Sequence, residues 1–362
     1  MSNIIKKSKK VVIAMSGGVD SSVAAALLKS HGYEVVGVFM RLGIAGNNES
    51  EKSARAVAEK LGIKFCVLNL RKEFKKKIID YFVSEYQKGR TPNPCVRCNQ
   101  EIKFGLLMDK VLSMGADFIA TGHYAKSQKS IKSIKSKVVY KLLKAKDINK
   151  DQSYFLYTLT QKKLKRCLFP IGDYQKSEVR ELAKGYGLAI HDRKESQEIC
   201  FIQTKYYGDF LKKYLKLAPG DIVNEKKEVL GKHKGLPLYT IGQRRDIGIG
   251  GIGPYYVVKM DYKKNQLVVS NDMKNSNLFS REIILEKVVW NAGKAPKLPM
   301  RIKAKIRYRM EECSAVVEKI SGKYQVKFSK PQRAAMPGQS VVFYKGQEVL
   351  GGGIIKQVRS EK

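Results

Sequence analysis

Three groups of residues in this 362-residue chain have the types and spacing to do chemistry. The first is Ser16-Gly17-Gly18-Val19-Asp20-Ser21-Ser22, where two glycines, a carboxylate and three hydroxyls fill seven positions. Such a run makes a poor ordinary turn but a good phosphate cradle, since glycines let backbone N–H groups approach an anion and hydroxyls add donors. The second group is three thiols, Cys95 and Cys98 at C-x-x-C spacing and Cys200 far downstream. The third is the stretch Arg301 to Arg309, where five basic residues alternate with Ile302, Ala304, Ile306 and Tyr308.

Each group has an alternative reading. The glycine loop could be a tight strand-to-helix connection and nothing more. It is not a Walker loop, because no Lys-Ser or Lys-Thr closes it, and it lacks the G-x-G-x-x-G of dinucleotide binders. The C-x-x-C pair follows Pro92 and Pro94, where a helix begins, and a helix N-terminus lowers a thiol's pKa, so Cys98 is expected to be a thiolate nucleophile. A structural zinc site would need further ligands, and no second C-x-x-C or H-x-x-x-H supplies them. Cys200, in the short apolar run 199–202, would by itself be buried core. A strand over 301–309 would put the basic side chains on one face, about 27 Å at roughly 3.3 Å per residue, as a track for a phosphate backbone. Its alternative is an edge strand that lysine protects from pairing.

The elements that must position these groups follow from periodicity. Val11 to Met15 is an apolar strand, Val23 to Lys29 a helix with Gly32 at its C-cap, and Glu34 to Met40 a parallel strand, so the glycine loop lies at a strand's carboxyl end against a helix N-terminus. The alternation continues through a helix over 49–63, a strand over 65–70, a helix over 75–86 and a strand over 117–124, which is a doubly wound α/β domain. The low-complexity segment 127–137 reads as a solvated basic insertion between hairpin strands. Glycine density past 205 marks a small mixed or β module, and from about 281 the pattern is that of a β-barrel. The expected domains are therefore 1–205, 206–280 and 281–362.

Lys and Arg total 70 against 33 Asp and Glu, a net charge of +37, and a polyanionic partner explains that imbalance better than solubility does. A lysine-rich compositional bias is the competing explanation. No apolar run reaches the ~20 residues needed to cross a bilayer, so a cytoplasmic protein with reduced thiols and no membrane association is expected.

Taken in order, the glycine loop, Thr91-Pro92-Asn93-Pro94, Cys98-Asn99-x-Glu101-Ile102-Lys103-Phe104, Thr121-Gly122-His123-Tyr124, Lys150-Asp151-Gln152-Ser153-Tyr154-Phe155 and Ile199-Cys200-Phe201-Ile202 resemble the tRNA 2-thiouridylases of the PP-loop ATP pyrophosphatase superfamily. Later segments, Thr240 to Arg245, Met336 to Tyr344 and Leu350 to Ile355, extend the resemblance over nearly the whole chain.

The resemblance implies an adenine nucleotide alpha hydrolase-like domain, then a middle domain, then a tRNA-binding barrel. It implies ATP-dependent 2-thiolation of the wobble uridine, U34, of tRNAs of the Lys, Glu and Gln type. ATP would lie on Ala14, Met15, Ser16, Gly17, Gly18, Val19, Asp20, Ser21, Met40 and Gly122, with Mg²⁺ screening the triphosphate. Cys200 would carry a persulfide, and Cys98 would be the nucleophile that resolves it to a disulfide. Asn93, Pro94 and Cys95 would contact the target base. His123, Lys150, Asp151, Gln152, Arg307, Tyr308 and Gln339 would contact tRNA.

At Cys95 the best-known form of the family has Asp. Cys95 is therefore read either as a replacement acid or base, or as one of three ligands, with Cys98 and Cys200, of a [4Fe–4S] cluster, the less favoured mechanism. A cysteine desulfurase or sulfur-relay protein is the expected sulfur donor, and the chain is expected to be a monomer. The rival functions are a different PP-loop ligase, such as a GMP synthetase, and a non-catalytic RNA-binding protein.

Overall fold

The structure is a computed structural model that describes residues 8–132, 137–190, 199–202, 204, 207–250 and 254–359. The basic leader before residue 8 and the segment 191–198 preceding Ile199 lie outside the described residues.

Strands β1 (Lys10–Ala14), β2 (Glu34–Arg41), β3 (Lys64–Asn69), β4 (Phe118–Thr121) and a short strand after them, Cys167–Leu168, form one sheet whose paired neighbours all run parallel. Its order places β1 at the centre, between β2 and β4. Val11 and Ile13 are wholly buried on one face and Val12 and Ala14 nearly so on the other, as expected of a parallel strand covered by helices on both sides. Helix α1 (Val19–Ser30) leaves the glycine loop, and its run Val23 to Ala26 is almost fully buried, small side chains letting the helix sit close to the sheet.

Two longer helices are each interrupted by π-helical stretches. One runs over 71–87, and the other over 94–113 as Pro94–Cys98, the π-segment Asn99–Leu107 and Met108–Ser113. Proline at the first position and Asn93 as N-cap, accepting from the Val96 N–H at 3.1 Å, explain where the second begins.

The hairpin strands expected around the basic insertion are β5 (Lys126–Lys132) and β6 (Lys137–Leu143); β5 takes up much of the segment read as insertion, and residues 133–136 lie outside the described residues. The two strands pair from Lys126 with Leu143 to Lys132 with Lys137, and the far end of β6 joins the C-terminal sheet at Leu142 and Leu143. The first domain therefore runs into the last one through continuous β-structure.

The middle region is a four-stranded sheet of Gly220–Val223, Val229–His233, Tyr256–Asp261 and Gln266–Ser270, with one parallel pairing among antiparallel ones. Beyond it, strands Phe279–Trp290, Lys323–Arg333, Cys313–Ile320, Met300–Lys305, Ser340–Lys345 and Glu348–Arg359, in that spatial order, close into a six-stranded barrel by pairing of the first with the last. Its core is built on Ile283, Val317, Val326, Val341, Phe343 and Ile355.

The basic row is corrected here. Its strand ends at Lys305, and residues 306–309 are bends and turns, so Arg301, Lys303 and Lys305 share the strand face while Arg307 and Arg309 leave it. The strand is paired on both sides, which removes the edge-protection reading.

Candidate active site

The glycine loop has the backbone a phosphate requires. Gly17 sits at φ +77°, and a Cβ on it would lie 2.2 Å from the Ser50 carbonyl oxygen, so only glycine fits. No side chain caps the start of α1. Ser21 instead accepts from the Ser16 N–H at 3.1 Å, and its Oγ lies 3.2 Å from that of Ser16, holding the loop open. Gly122 packs against the same turn, where a Cβ would come within 2.6 Å of the Ser21 nitrogen. Met15 and Val19 are buried, so only their backbones remain to face a nucleotide. Met40 is half-buried at the end of β2, packed against the apolar clusters beneath the loop.

Asp20 is tied down from two directions. Lys176, at the start of helix Lys176–Gly185, donates to its Oδ1 at 2.7 Å, and the Tyr124 hydroxyl donates to the same oxygen at 2.9 Å. Neither partner carried a signal in the sequence that tied it to the loop, because Lys176 lies 156 positions from Asp20.

The thiols Cys95, Cys98 and Cys200 come within electrostatic reach of one another and of the Lys103 ammonium. Burial pushes the Cys95 thiol up to about 11 and the Cys98 thiol up to about 12, only partly offset by Lys103. This corrects the expectation of a lowered Cys98 pKa: Cys98 is the last residue of the opening turn and a half, beyond the N-terminal groups that would stabilise a thiolate, and desolvation dominates. Cys200 lies in an exposed turn rather than in the core, although loss of water around its sulfur still raises its pKa. Among the described residues no three His, Cys, Asp or Glu side chains are gathered as a metal would need.

Lys103 connects the two halves of the site. Its Nζ lies 3.3 Å from His123 Nε2, and His123 Nδ1 lies 2.7 Å from Thr121 Oγ1. An ammonium can only donate, so Nε2 accepts and Nδ1 carries the proton toward Thr121. Burial first, and the Lys103 charge second, hold the His123 pKa well below its ordinary value, so the ring is neutral. Lys103 is thus within electrostatic reach of the thiols and 3.3 Å from His123, whose neighbour Gly122 packs on the glycine loop.

The remaining expected tRNA residues divide. Asp151 is buried and spends its carboxylate on the Ala145 N–H, the Ser153 N–H and the Ser153 hydroxyl, and Gln152 accepts from the Tyr124 N–H at 3.1 Å. Both shape the turn behind His123, while Lys150 is half-buried beside them. Tyr308 packs on Phe155 with the rings tilted by 42° and their centroids 4.5 Å apart, and Arg307 and Gln339 border a separate cavity. The barrel is fastened to this side of the first domain by Thr91 N–H donating to the Pro337 carbonyl at 2.8 Å and Tyr154 OH to the Ser340 carbonyl at 2.9 Å.

A central parallel strand with an uncapped glycine turn at its carboxyl end, against the start of a buried helix, defines a nucleotide-binding α/β domain of the HUP class. The family model described as the tRNA methyl transferase HUP domain matches residues 9–204, the tRNA methyl transferase PRC-barrel domain residues 208–271, and the aminomethyltransferase beta-barrel domain residues 280–355. The chain is 45% identical over 96% of its length to the tRNA-specific 2-thiouridylase MnmA of Halothermothrix orenii, covering 99% of that protein. It is 44% identical over 97% of its length to the protein of that name from Clostridioides difficile, again covering 99%. The chain belongs to the MnmA family of tRNA-specific 2-thiouridylases. No helix among the described residues is long and apolar enough to cross a membrane.

Proposed function

We propose that the chain exchanges the C2 oxygen of the wobble uridine of tRNA for sulfur, activating the oxygen with ATP and drawing the sulfur from a persulfide. The observation that carries this reading is the position of Lys103, within electrostatic reach of all three thiols and 3.3 Å from His123, whose neighbour Gly122 packs on the glycine loop.

A carbonyl oxygen is a poor leaving group, so it must be activated before sulfur can displace it. The loop N–H groups and the α1 N-terminus hold the β- and γ-phosphates, leaving the α-phosphate open. Uridine O2 attacks it and pyrophosphate departs. Mg²⁺ would be held chiefly by the triphosphate, because Asp20 is already bound to Lys176. Cys98 loses its proton and attacks the Cys200 sulfur of the persulfide, forming the Cys98–Cys200 disulfide and expelling hydrosulfide. Hydrosulfide adds at C2, AMP leaves, and a thiol reductant returns two electrons to the disulfide. Lys103 lowers the cost of each anionic sulfur on this route. The target base must leave its stack, at ~ a few kcal/mol, to lie near Asn93, Pro94 and Cys95. The donor that loads Cys200 is a cysteine desulfurase or a relay protein.

The test is mass spectrometry of Cys98→Ser after incubation with a cysteine desulfurase and cysteine. A gain of about 32 Da on the Cys200 peptide, one sulfur atom, is expected. An unmodified peptide, together with iron in the active wild-type protein, would replace the relay with a cluster held by Cys95, Cys98 and Cys200.

A further inference from the structure

Cys95 stands one helical turn before Cys98, both within the segment Pro94–Cys98, and each is a free, half-buried thiol. In an α-helix, Cα atoms three positions apart lie about 5 Å from one another, inside the roughly 4.4–6.8 Å that a disulfide spans. Residues at that spacing also share a face of the helix, so the two side chains can be bridged by a small opening of the turn. The Cys200 sulfur lies within electrostatic reach of both. The site thus holds one more thiol than a persulfide carrier and its attacking partner require.

Of the two sulfurs in a Cys98–Cys200 disulfide, Cys200 is the better suited to leave. It lies on an exposed turn, and its own N–H and that of Phe201 donate to its sulfur, which favours the thiolate. Cys98 is half-buried on the helix and holds its proton to about 12. Thiol–disulfide exchange runs toward expulsion of the sulfur whose thiolate is the better stabilised. Attack at the Cys98 sulfur is therefore the favoured course, and Cys95 is the thiol in place to make it. An external thiol would have to meet Cys200 on the exposed turn where the persulfide is also carried, and would strip that sulfur as readily.

We propose that Cys95 resolves the oxidised site: its sulfur attacks the Cys98 sulfur of the Cys98–Cys200 disulfide, a Cys95–Cys98 bond forms, the bond to Cys200 breaks, and Cys200 leaves with the electron pair. Cys95 gives up a proton and Cys200 takes one up, so the exchange is neutral in protons and electrons. A dithiol reductant then supplies two electrons and two protons to the Cys95–Cys98 disulfide. A bridge within one helical turn carries strain, which makes it readily reducible. Cys200 is free to take its next sulfur while the oxidised pair waits on the helix. The inference rests on the persulfide reading above.

The experiment loads Cys200 of the full chain with a cysteine desulfurase and cysteine, removes both, and adds ATP and tRNA without reductant. After an acid quench and alkylation, peptide mapping under non-reducing conditions locates the bridge. The wild type should show Cys95 joined to Cys98 with Cys200 alkylated, and Cys95→Ser should show Cys98 joined to Cys200. A wild-type map with only the Cys98–Cys200 bridge, Cys95 being alkylated, would overturn the proposal and leave the persulfide reading standing. Thiolated tRNA with no bridge in either protein would refute that reading, and this proposal with it. A second measurement separates resolution from contact with the base: with a dithiol present, Cys95→Ser should slow later rounds relative to the first by on the order of 10-fold, since an external thiol replaces a tethered one. Equal slowing of first and later rounds would overturn the proposal. The wild-type map decides the matter by itself where Cys95→Ser does not fold.

Discussion

Lys176 Nζ and Asp20 Oδ1 lie 2.7 Å apart, so the one carboxylate of the glycine loop is already neutralised before any nucleotide arrives. Lys176 is only slightly exposed while Asp20 stays partly open to solvent, so the pair is only partly screened, and it tethers the first turn of α1 to the start of the Lys176–Gly185 helix. Asp20→Ala is expected to abolish pyrophosphate release while tRNA binding persists. Lys176→Met should lower the same activity by about 100-fold, and the double variant should be little worse than Asp20→Ala alone. Additive losses, measured as pyrophosphate release with ATP and tRNA, would mean that the two act separately.

Glycine substitutions separate strain from lost space. Gly32→Ala meets nothing within 4 Å and should cost only the left-handed conformation, about 1–2 kcal/mol, with ATP use intact. Gly17→Ala adds a collision with the Ser50 carbonyl and should lose ATP binding as well as thermal stability. Calorimetric titration with ATP beside a melting curve distinguishes them.

The thiols give an alkaline prediction. An unfolded thiol ionises near ~8.5, whereas folded Cys95 and Cys98 hold their protons to about 11 and about 12. Above pH ~8.5 the unfolded chain releases protons that the native one keeps, so their contribution to stability, complete below that pH, declines as pH rises. Denaturant midpoints should fall from about pH 8.5 upward, less in a Cys95→Ser, Cys98→Ser variant. Sulfur transfer in single turnovers should speed up about 10-fold per pH unit from pH 7 to 9 if the Cys98 thiolate attacks.

His123 gives the opposite limb. Its folded pKa is far below the ~6.5 of an unfolded imidazole, so below that pH the unfolded chain takes up a proton that the native chain refuses. Stability should drop as pH falls from 6.5, and His123→Gln, which keeps a polar group beside Lys103, should flatten that drop in urea unfolding.

Local residue types were enough to read the nucleotide domain. Alternating apolar strands and helices require a doubly wound sheet, and two glycines followed by Asp and two serines mark where an anion sits, because both signals act within a few residues. The order of six short motifs pointed to the family in the same way. What they left open depended on contacts far apart in the chain.

Lys103 is an example. Five residues from Cys98, it would sit about 140° around a regular α-helix, and only the π-helical winding of Asn99–Leu107, with its i to i+5 repeat, aligns the two. The Cys98 pKa was misjudged from the helix terminus because burial, which outweighs it, is set by packing of distant segments. The basic row 301–309 showed alternation, yet closure of the barrel ended its strand at Lys305 and turned Arg307 toward the middle domain. The chain's residue types determined that phosphate, sulfur and a polyanion are handled here. Which side chains meet, and which cations lack a partner, was decided by the tertiary structure, since burial and distance set the strength of every charge in the site.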